Sequence, residues 1–475
     1  MKMLNRLSLC TAAAVLSLSA HALARDSTSP SSSQDPAIRA LLDRISELEK
    51  KSATDETRNA EMAARLAAIE AERNGQWMTE QRANEIRALV QDTLADADTR
   101  ASLQSSGLTA GYDNGFIIQS SDGNYLLRTN VLFQERFVLN RQRESIDDKS
   151  RWGFENARTE FTLSGHVVQP DLFYLAQIEL SDVNTGLPSG QPRNDLLQAY
   201  IGYDFGQGWR FQIGTFKDPL LREELVEAGN QLLVERSLVN YIYTGGYTDG
   251  LQVQYQNDRF NVIGSYNNGI NDAVYGGGVM TGGTSPIFSG SADYAFTFRG
   301  EWLINGDWDG LKSFDSPRDT DKAMMLGAAA HYQSANGQQT GSPDIDLLLM
   351  TVDFSAQFGG GSAFAAIIYS NANSSPGSTV DSWAFVAQVG WYLSKNWEIF
   401  GRYEWADTDQ LTFADTNILT IGFNRNLANW NAKWTTDFGI AFDPVAYSAP
   451  ITSWRADIPG EDRQVVVRSQ FQVMF

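Results

Sequence analysis

From about Gly111 to the end of the chain, apolar and polar residues alternate one by one, in about sixteen separate segments. A β-strand points successive side chains to opposite faces, so a period of two makes a sheet with two unlike faces. Segment 125–140 shows the pattern. Tyr125, Leu127, Thr129, Val131, Phe133, Phe137 and Leu139 share one face; Arg128, Asn130, Gln134 and Arg136 share the other. The next segment sets Ala157, Thr159, Phe161, Leu163 and Val167 against Asn156, Arg158, Glu160, Thr162, Ser164 and His166. A polar face this long must meet water, and the opposite face must meet lipid or a second sheet. Glu135 breaks the oily face. A lipid-facing Arg or Lys at mid-membrane costs roughly 2–4 kcal/mol and Glu less, so Glu135 is expected near the outer rim or at a subunit contact.

The segments lie near 124–140, 152–168, 171–182, 194–206, 208–217, 247–257, 259–269, 292–304, 322–334, 345–358, 361–371, 382–393, 396–406, 416–425, 433–443 and 463–475. Short connections alternate with long ones such as 183–193, 218–246, 270–291, 372–381 and 444–462, as expected for periplasmic turns and external loops. One connection, 305–321, is long where a short turn is due. In the final segment Val465, Val467, Phe471, Val473 and Phe475 fall on one face. An unpaired backbone group in lipid costs several kcal/mol, so a spanning sheet must close on itself. The expected fold is all-β, a transmembrane antiparallel barrel of about sixteen strands behind an N-terminal helical segment.

Residues 1–24 read as a secretory signal peptide, with Lys2 and Arg6, an apolar stretch and a small-residue Ala22-Leu23-Ala24 site. The only cysteine, Cys10, lies inside it, which removes disulfides and thiolate chemistry from the rest. Residues 25–35, rich in Ser and Pro, read as a linker. A helical segment over 36–110 follows, placed in the periplasm. Ile38, Leu41, Ile45 and Leu48 fill a and d positions of a heptad, which turns polar at Ser52, Asp55 and Asn59 and resumes in phase at Met62, Leu66 and Ile69. That pattern suits a coiled coil; a lone amphipathic helix is the alternative. A second helical stretch is expected at about 77–103. The barrel takes 111–475.

Formal net charge is −20, which argues against nucleic acid as a partner. Only His166 and His331 lie beyond the signal region, without metal-pair spacing, and no nucleophile elbow or zincin motif is present. Asn305-x-Asp307-x-Asp309-Gly310 opens like a calcium loop but has Ser316 at its twelfth position. No cofactor, metal or catalytic residue is therefore expected, and the chain reads as no enzyme.

Gly214-Thr-Phe-Lys-Asp-Pro219 closes one segment, Val234-Glu-Arg-Ser237 ends the long loop after it, and Asp195-Leu-Leu-Gln-Ala-Tyr-Ile-Gly-Tyr203 stands upstream. This ordering resembles the phosphate-selective porin O and P family over about 112–475. The resemblance implies a sixteen-stranded homotrimeric porin that passes anions, with its third external loop folded inward as a constriction. The alternation independently makes 218–246 the third external loop. It contains Glu223, Glu224, Glu227 and Glu235. Candidate pore-lining cations are Arg128, Arg136, Arg158, Lys217, Arg222, Arg236, Arg299, Arg402 and Arg468, because guanidinium pairs bidentately with phosphate oxygens. Residues 111–475, however, hold 24 Lys+Arg against 42 Asp+Glu. The competing expectation is that lumen arginines pair with carboxylates such as Glu160 and Glu179 and knit the wall.

The function expected is a passive outer-membrane channel for small hydrophilic solutes, with anions such as phosphate implied by the resemblance. One alternative is a barrel-anchored tether whose helices bind peptidoglycan or another periplasmic partner. A surface enzyme on a barrel is another, and no rim constellation supports it.

Overall fold

The computed structural model describes residues 36–76, 107–143, 150–181, 193–270, 292–335, 344–375, 378–408, 415–428, 431–445, 449–457 and 462–475. It divides into two units, Met1–Ser102 and Leu103–Phe475. In the first, helix α1 spans Pro36–Gln76. Ile45, Leu48, Met62 and Leu66 are half or more exposed on it. They are the a and d residues expected of the heptads, so this helix carries an uncovered apolar seam. The signal peptide, the linker and the helix expected at 77–103 lie outside the described residues.

The second unit opens with a short hairpin, β1 (Leu108–Tyr112) and β2 (Phe116–Ser120). Then come β3 (Leu126–Arg143), β4 (Ser150–Val167), β5 (Gln169–Ser181), β6 (Arg193–Gly206), β7 (Trp209–Lys217), β8 (Tyr247–Gln256), β9 (Phe260–Asn267) and β10 (Tyr294–Asn305). The remainder are β11 (Ala323–Ala335), β12 (Asp344–Gln357), β13 (Gly361–Ser375), β14 (Ser378–Tyr392), β15 (Trp397–Thr408), β16 (Thr416–Ala428), β17 (Ala432–Ala441) and β18 (Asp462–Met474). Each barrel strand pairs antiparallel with its sequence neighbour, and β18 pairs with β3. The ring β3–β18 is thus a closed sixteen-stranded barrel, in which the wall has no free edge. Each of the sixteen segments read from the alternation is one of these strands, with ends shifted by a few residues.

The hairpin was not anticipated, and Leu108 to Ala110 are strand where helix was expected. It has a structural reason. β18 runs along β3 only from Leu132 upward, and β2 takes the same edge at Leu126–Thr129. The hairpin covers backbone that β18 is too short to reach. Phe475 seals the junction: its N–H donates to the Val131 carbonyl at 3.1 Å and its carbonyl accepts from Val131 N–H at 2.7 Å.

A bulge changes one assignment. Gln134 pairs with Arg158 but Glu135 pairs with Asn156, so Ala157 is the extra residue of β4. One inserted residue reverses the alternation beyond it. Asn156 therefore shares the outward face with Thr159, to which its side-chain amide donates at 3.0 Å, and not the lumen face with Arg158. Glu135 is half-buried midway along β3, opposite Asn156 and Phe471, and not at the rim.

The over-long connection 306–322 also finds its explanation. It carries a single 3-10 turn at Asp309–Leu311 and tucks into the lumen, where Leu311 and Phe314 are buried. The Phe314 ring meets Phe364 on the wall at 4.8 Å. It is a long periplasmic turn because it is an internal plug, and the strand count stands.

Candidate constriction and lumen

Segment 218–246 leaves β7 at Asp218 and rejoins β8 through a hydrogen bond from Asp218 N–H to the Gly246 carbonyl (2.9 Å). It holds two short helices, α2 (Arg222–Leu225) and α3 (Leu238–Tyr243). Most of its residues are buried, although it is a loop, because it runs inside the barrel. Leu220, Leu221, Val239 and Tyr243 pack on Leu347, Leu349, Ile368 and Ala384 of the wall. Val226, Leu232 and Leu233 pack on Phe314, Phe364 and Phe400. Each such apolar side chain contributes roughly 1.5–3 kcal/mol on burial. The wall strands β12–β15 carry apolar residues on an otherwise wet face where the loop lands.

Ion pairs fix its position. Arg158 of β4 grips Glu235 with two hydrogen bonds, 2.6 and 2.9 Å. Arg136 lies 3.6 Å from the same carboxylate and donates to Glu155 at 2.5 Å. Burial alone would raise the Glu235 carboxyl, but the Arg158 guanidinium outweighs it and holds the group at about 2. Across the lumen, Arg402 donates to the Glu235 carbonyl (2.8 Å) and the Arg236 carbonyl (3.3 Å), while Glu404 accepts from Leu238 N–H at 2.6 Å. That contact places a carboxylate at the start of α3, where free N–H groups favour negative charge. Within the loop, Glu223 accepts from both the Ser237 N–H (2.7 Å) and its hydroxyl (2.5 Å). Arg236 lies 3.4 Å from Glu224 and donates to the Val226 carbonyl at 2.9 Å. Lys433 and Asn424 reach the Gln231 and Leu232 carbonyls at 2.8 and 2.9 Å.

The remaining candidates are placed as follows. Arg299 contacts Glu301 (2.7 Å), Asp353 (2.9 Å) and the Leu220 carbonyl (3.2 Å). Arg468 is bidentate with Asp437 at 2.8 and 2.9 Å. Lys217 pairs with Glu227 at 3.1 Å, and Glu227 is half-exposed. Arg128 sits near the short-turn end, partly exposed, 3.1 Å from Asp113 of the hairpin. Arg222 donates to the Leu311 carbonyl of the inner plug. Eight of the nine cations therefore have a carboxylate within 4 Å, Arg222 being the exception among the described contacts.

Glu301, Asp353, Glu404 and Asp437 were not foreseen. A signal for two of them stands in the sequence. Arg158-x-Glu160, Arg299-x-Glu301 and Arg402-x-Glu404 repeat one spacing on three strands. Two residues apart on a strand means the same face, so each arginine brings its own counter-charge into the lumen. Asp353 and Asp437 come from other strands and have no such local mark. His166 and His331 lie on strand faces: His166 Nε2 bonds the Gly123 carbonyl at 2.8 Å, and buried His331 contacts Thr297 and Gln333 at 2.7 and 3.0 Å.

Residues 136–283 match the family model described as phosphate-selective porin O and P. No curated protein matches. Among solved structures, similar chains include an anion-selective porin from Comamonas acidovorans (11% identity, TM-score 0.49, covering 74% of this chain and 99% of that one). The outer membrane channel DcaP of Acinetobacter baumannii has 14% identity and a TM-score of 0.48, covering 77% and 100%. In-vitro folded OmpT of Vibrio cholerae, described as a trimer form, has 12% identity and a TM-score of 0.47, covering 73% and 99%.

Proposed function

We propose that this outer-membrane porin, whose residues 136–283 match the phosphate-selective porin O and P family model, is a size-limited diffusion channel with little charge preference. The observation that carries this reading is the pairing of lumen cations with carboxylates. A phosphate ladder needs guanidinium groups whose donors are free to take phosphate oxygens. Here Arg158, Arg299, Arg402 and Arg468 spend theirs on Glu235, Asp353, Glu404 and Asp437. The pairs hold the constriction in place, and solutes pass by diffusion through what the loop leaves open. Reversal potentials of the purified protein across a planar bilayer, under a potassium phosphate gradient, test this. Near-equal permeability of the two ions is expected; strong phosphate preference would overturn it.

A homotrimer is the assembly we favour. Two surfaces bear on it: the apolar seam of α1, and a group of polar side chains on the lipid face. The patch joins Glu135, Asn156 and Thr159 to Thr436 and Ser469, the last two 3.0 Å apart. The mass of the detergent-solubilised complex decides the oligomeric state. A peptidoglycan or periplasmic partner for residues 36–110 has no support beyond the exposed seam; deleting 36–103 separates the roles. Loss of envelope attachment with conductance intact would favour tethering, and loss of the oligomer would favour assembly.

A further inference from the structure

The inner wall of the barrel is covered unevenly. On β10–β18, inward side chains such as Thr297, Ser355, Gln388, Thr435 and Arg468 are under a tenth exposed, beneath the constriction loop and the inner plug. On β4–β8 the inward positions toward the short-turn end stay partly exposed: Thr162, Phe173, Tyr200, Gln212, Gln252 and Gln254. None of these six is charged. One exposed cation borders the strip: Arg210, register partner of Gln254, lies 5.7 Å from the Phe173 ring centroid and pairs with Asp204 at 2.9 Å, while Lys217 pairs with Glu227 at the other end.

The register makes this strip a surface. Phe173, Gly202, Gln212 and Gln252 stand side by side across four strands. Gly202 permits the arrangement: a Cβ there would lie 2.3 Å from the Phe173 ring, so the ring lies flat across it. Tyr200 meets Phe173 edge-on at 6.4 Å. The result is an aromatic plate beside two amides. Apolar C–H faces stack on such a plate, and hydroxyls exchange hydrogen bonds with amides, which both donate and accept.

We propose that the solute path runs along β4–β8 and that this strip is a weak site for uncharged polyhydroxylated solutes, saccharides in particular. The proposal rests on the porin reading and deepens it. The chain has one cysteine, Cys10, so single-cysteine variants on a Cys10→Ser background report access cleanly. Gln212→Cys and Gln252→Cys should lose conductance to a methanethiosulfonate reagent; Ser355→Cys, near-isosteric and on the covered wall, should not. Block at 355, or none at 212 and 252, overturns the path. A protein with no conductance before modification instead sinks the porin reading itself. For the solute class, millimolar maltose should reduce the ion current of the wild type. Phe173→Leu should weaken that block by roughly 2- to 10-fold, the range for one aromatic contact. Equimolar phosphate should leave the block unchanged. Absence of block by maltose, or displacement of it by phosphate, overturns the saccharide assignment.

Discussion

Replacing Glu235 by Gln removes the charge that Arg158 holds and leaves the shape of the loop nearly intact. Two unit charges about 4 Å apart interact by about 4 kcal/mol at an effective dielectric of about 20. Breaking a buried pair by removing one partner costs about 3–5 kcal/mol, since the other charge stays uncompensated. Here Arg158 keeps Glu160 and Glu179, each at 3.7 Å, so part of that loss is offset. The net expectation is about 2–3 kcal/mol, roughly a 30- to 150-fold rise in loop opening. Amide hydrogen exchange reads it directly, because the N–H groups of Leu238 and Val234 are held by Glu404 and Asp437 of the wall only while the loop is docked. Exchange within threefold of wild type in Glu235→Gln would refute the argument that this pair anchors the constriction.

Three further outcomes follow from the same geometry. Glu235 is depressed from its ordinary value to about 2, so its contribution is present above pH about 4.5 and lost as pH falls through about 2; loop protection should persist at pH 4 and vanish near pH 2, whereas loss already at pH 5 would contradict it. Leu127→Arg puts a charge on the lipid face near the short-turn end and should reduce membrane insertion modestly, at up to about 1 kcal/mol. Arg128→Glu on the opposite face should insert normally and shift reversal potentials toward cations; equal behaviour of the two would reverse the face assignment. Gly214 has φ +134° and a Cβ there would lie 2.2 Å from the Ala199 carbonyl oxygen, so Gly214→Ala should lower the yield of heat-resistant folded barrel, at a cost above about 1 kcal/mol.

The wall was legible in the amino-acid order because its rule is local. A strand between lipid and water needs alternation, and every spanning segment repeats it, so all sixteen strands, the closing Phe475 and the place of 218–246 as the third external loop could be read one segment at a time, while the inward fold of that loop came only from the family resemblance. Even the Arg-x-Glu spacing announces lumen counter-charges. What the order of residues does not encode locally is which charges meet across the lumen. Arg158 with Glu235 and Arg402 with Glu223 join opposite sides of the wall to the inward loop, over 77 and 179 residues of chain. Such pairs, the bulge that turns Asn156 outward, the plug formed by 306–322 and the uncovered strip on β4–β8 exist only once the sheet has curled shut. Closure brings distant strands to within hydrogen-bond reach, and an ion pair is decided at that range.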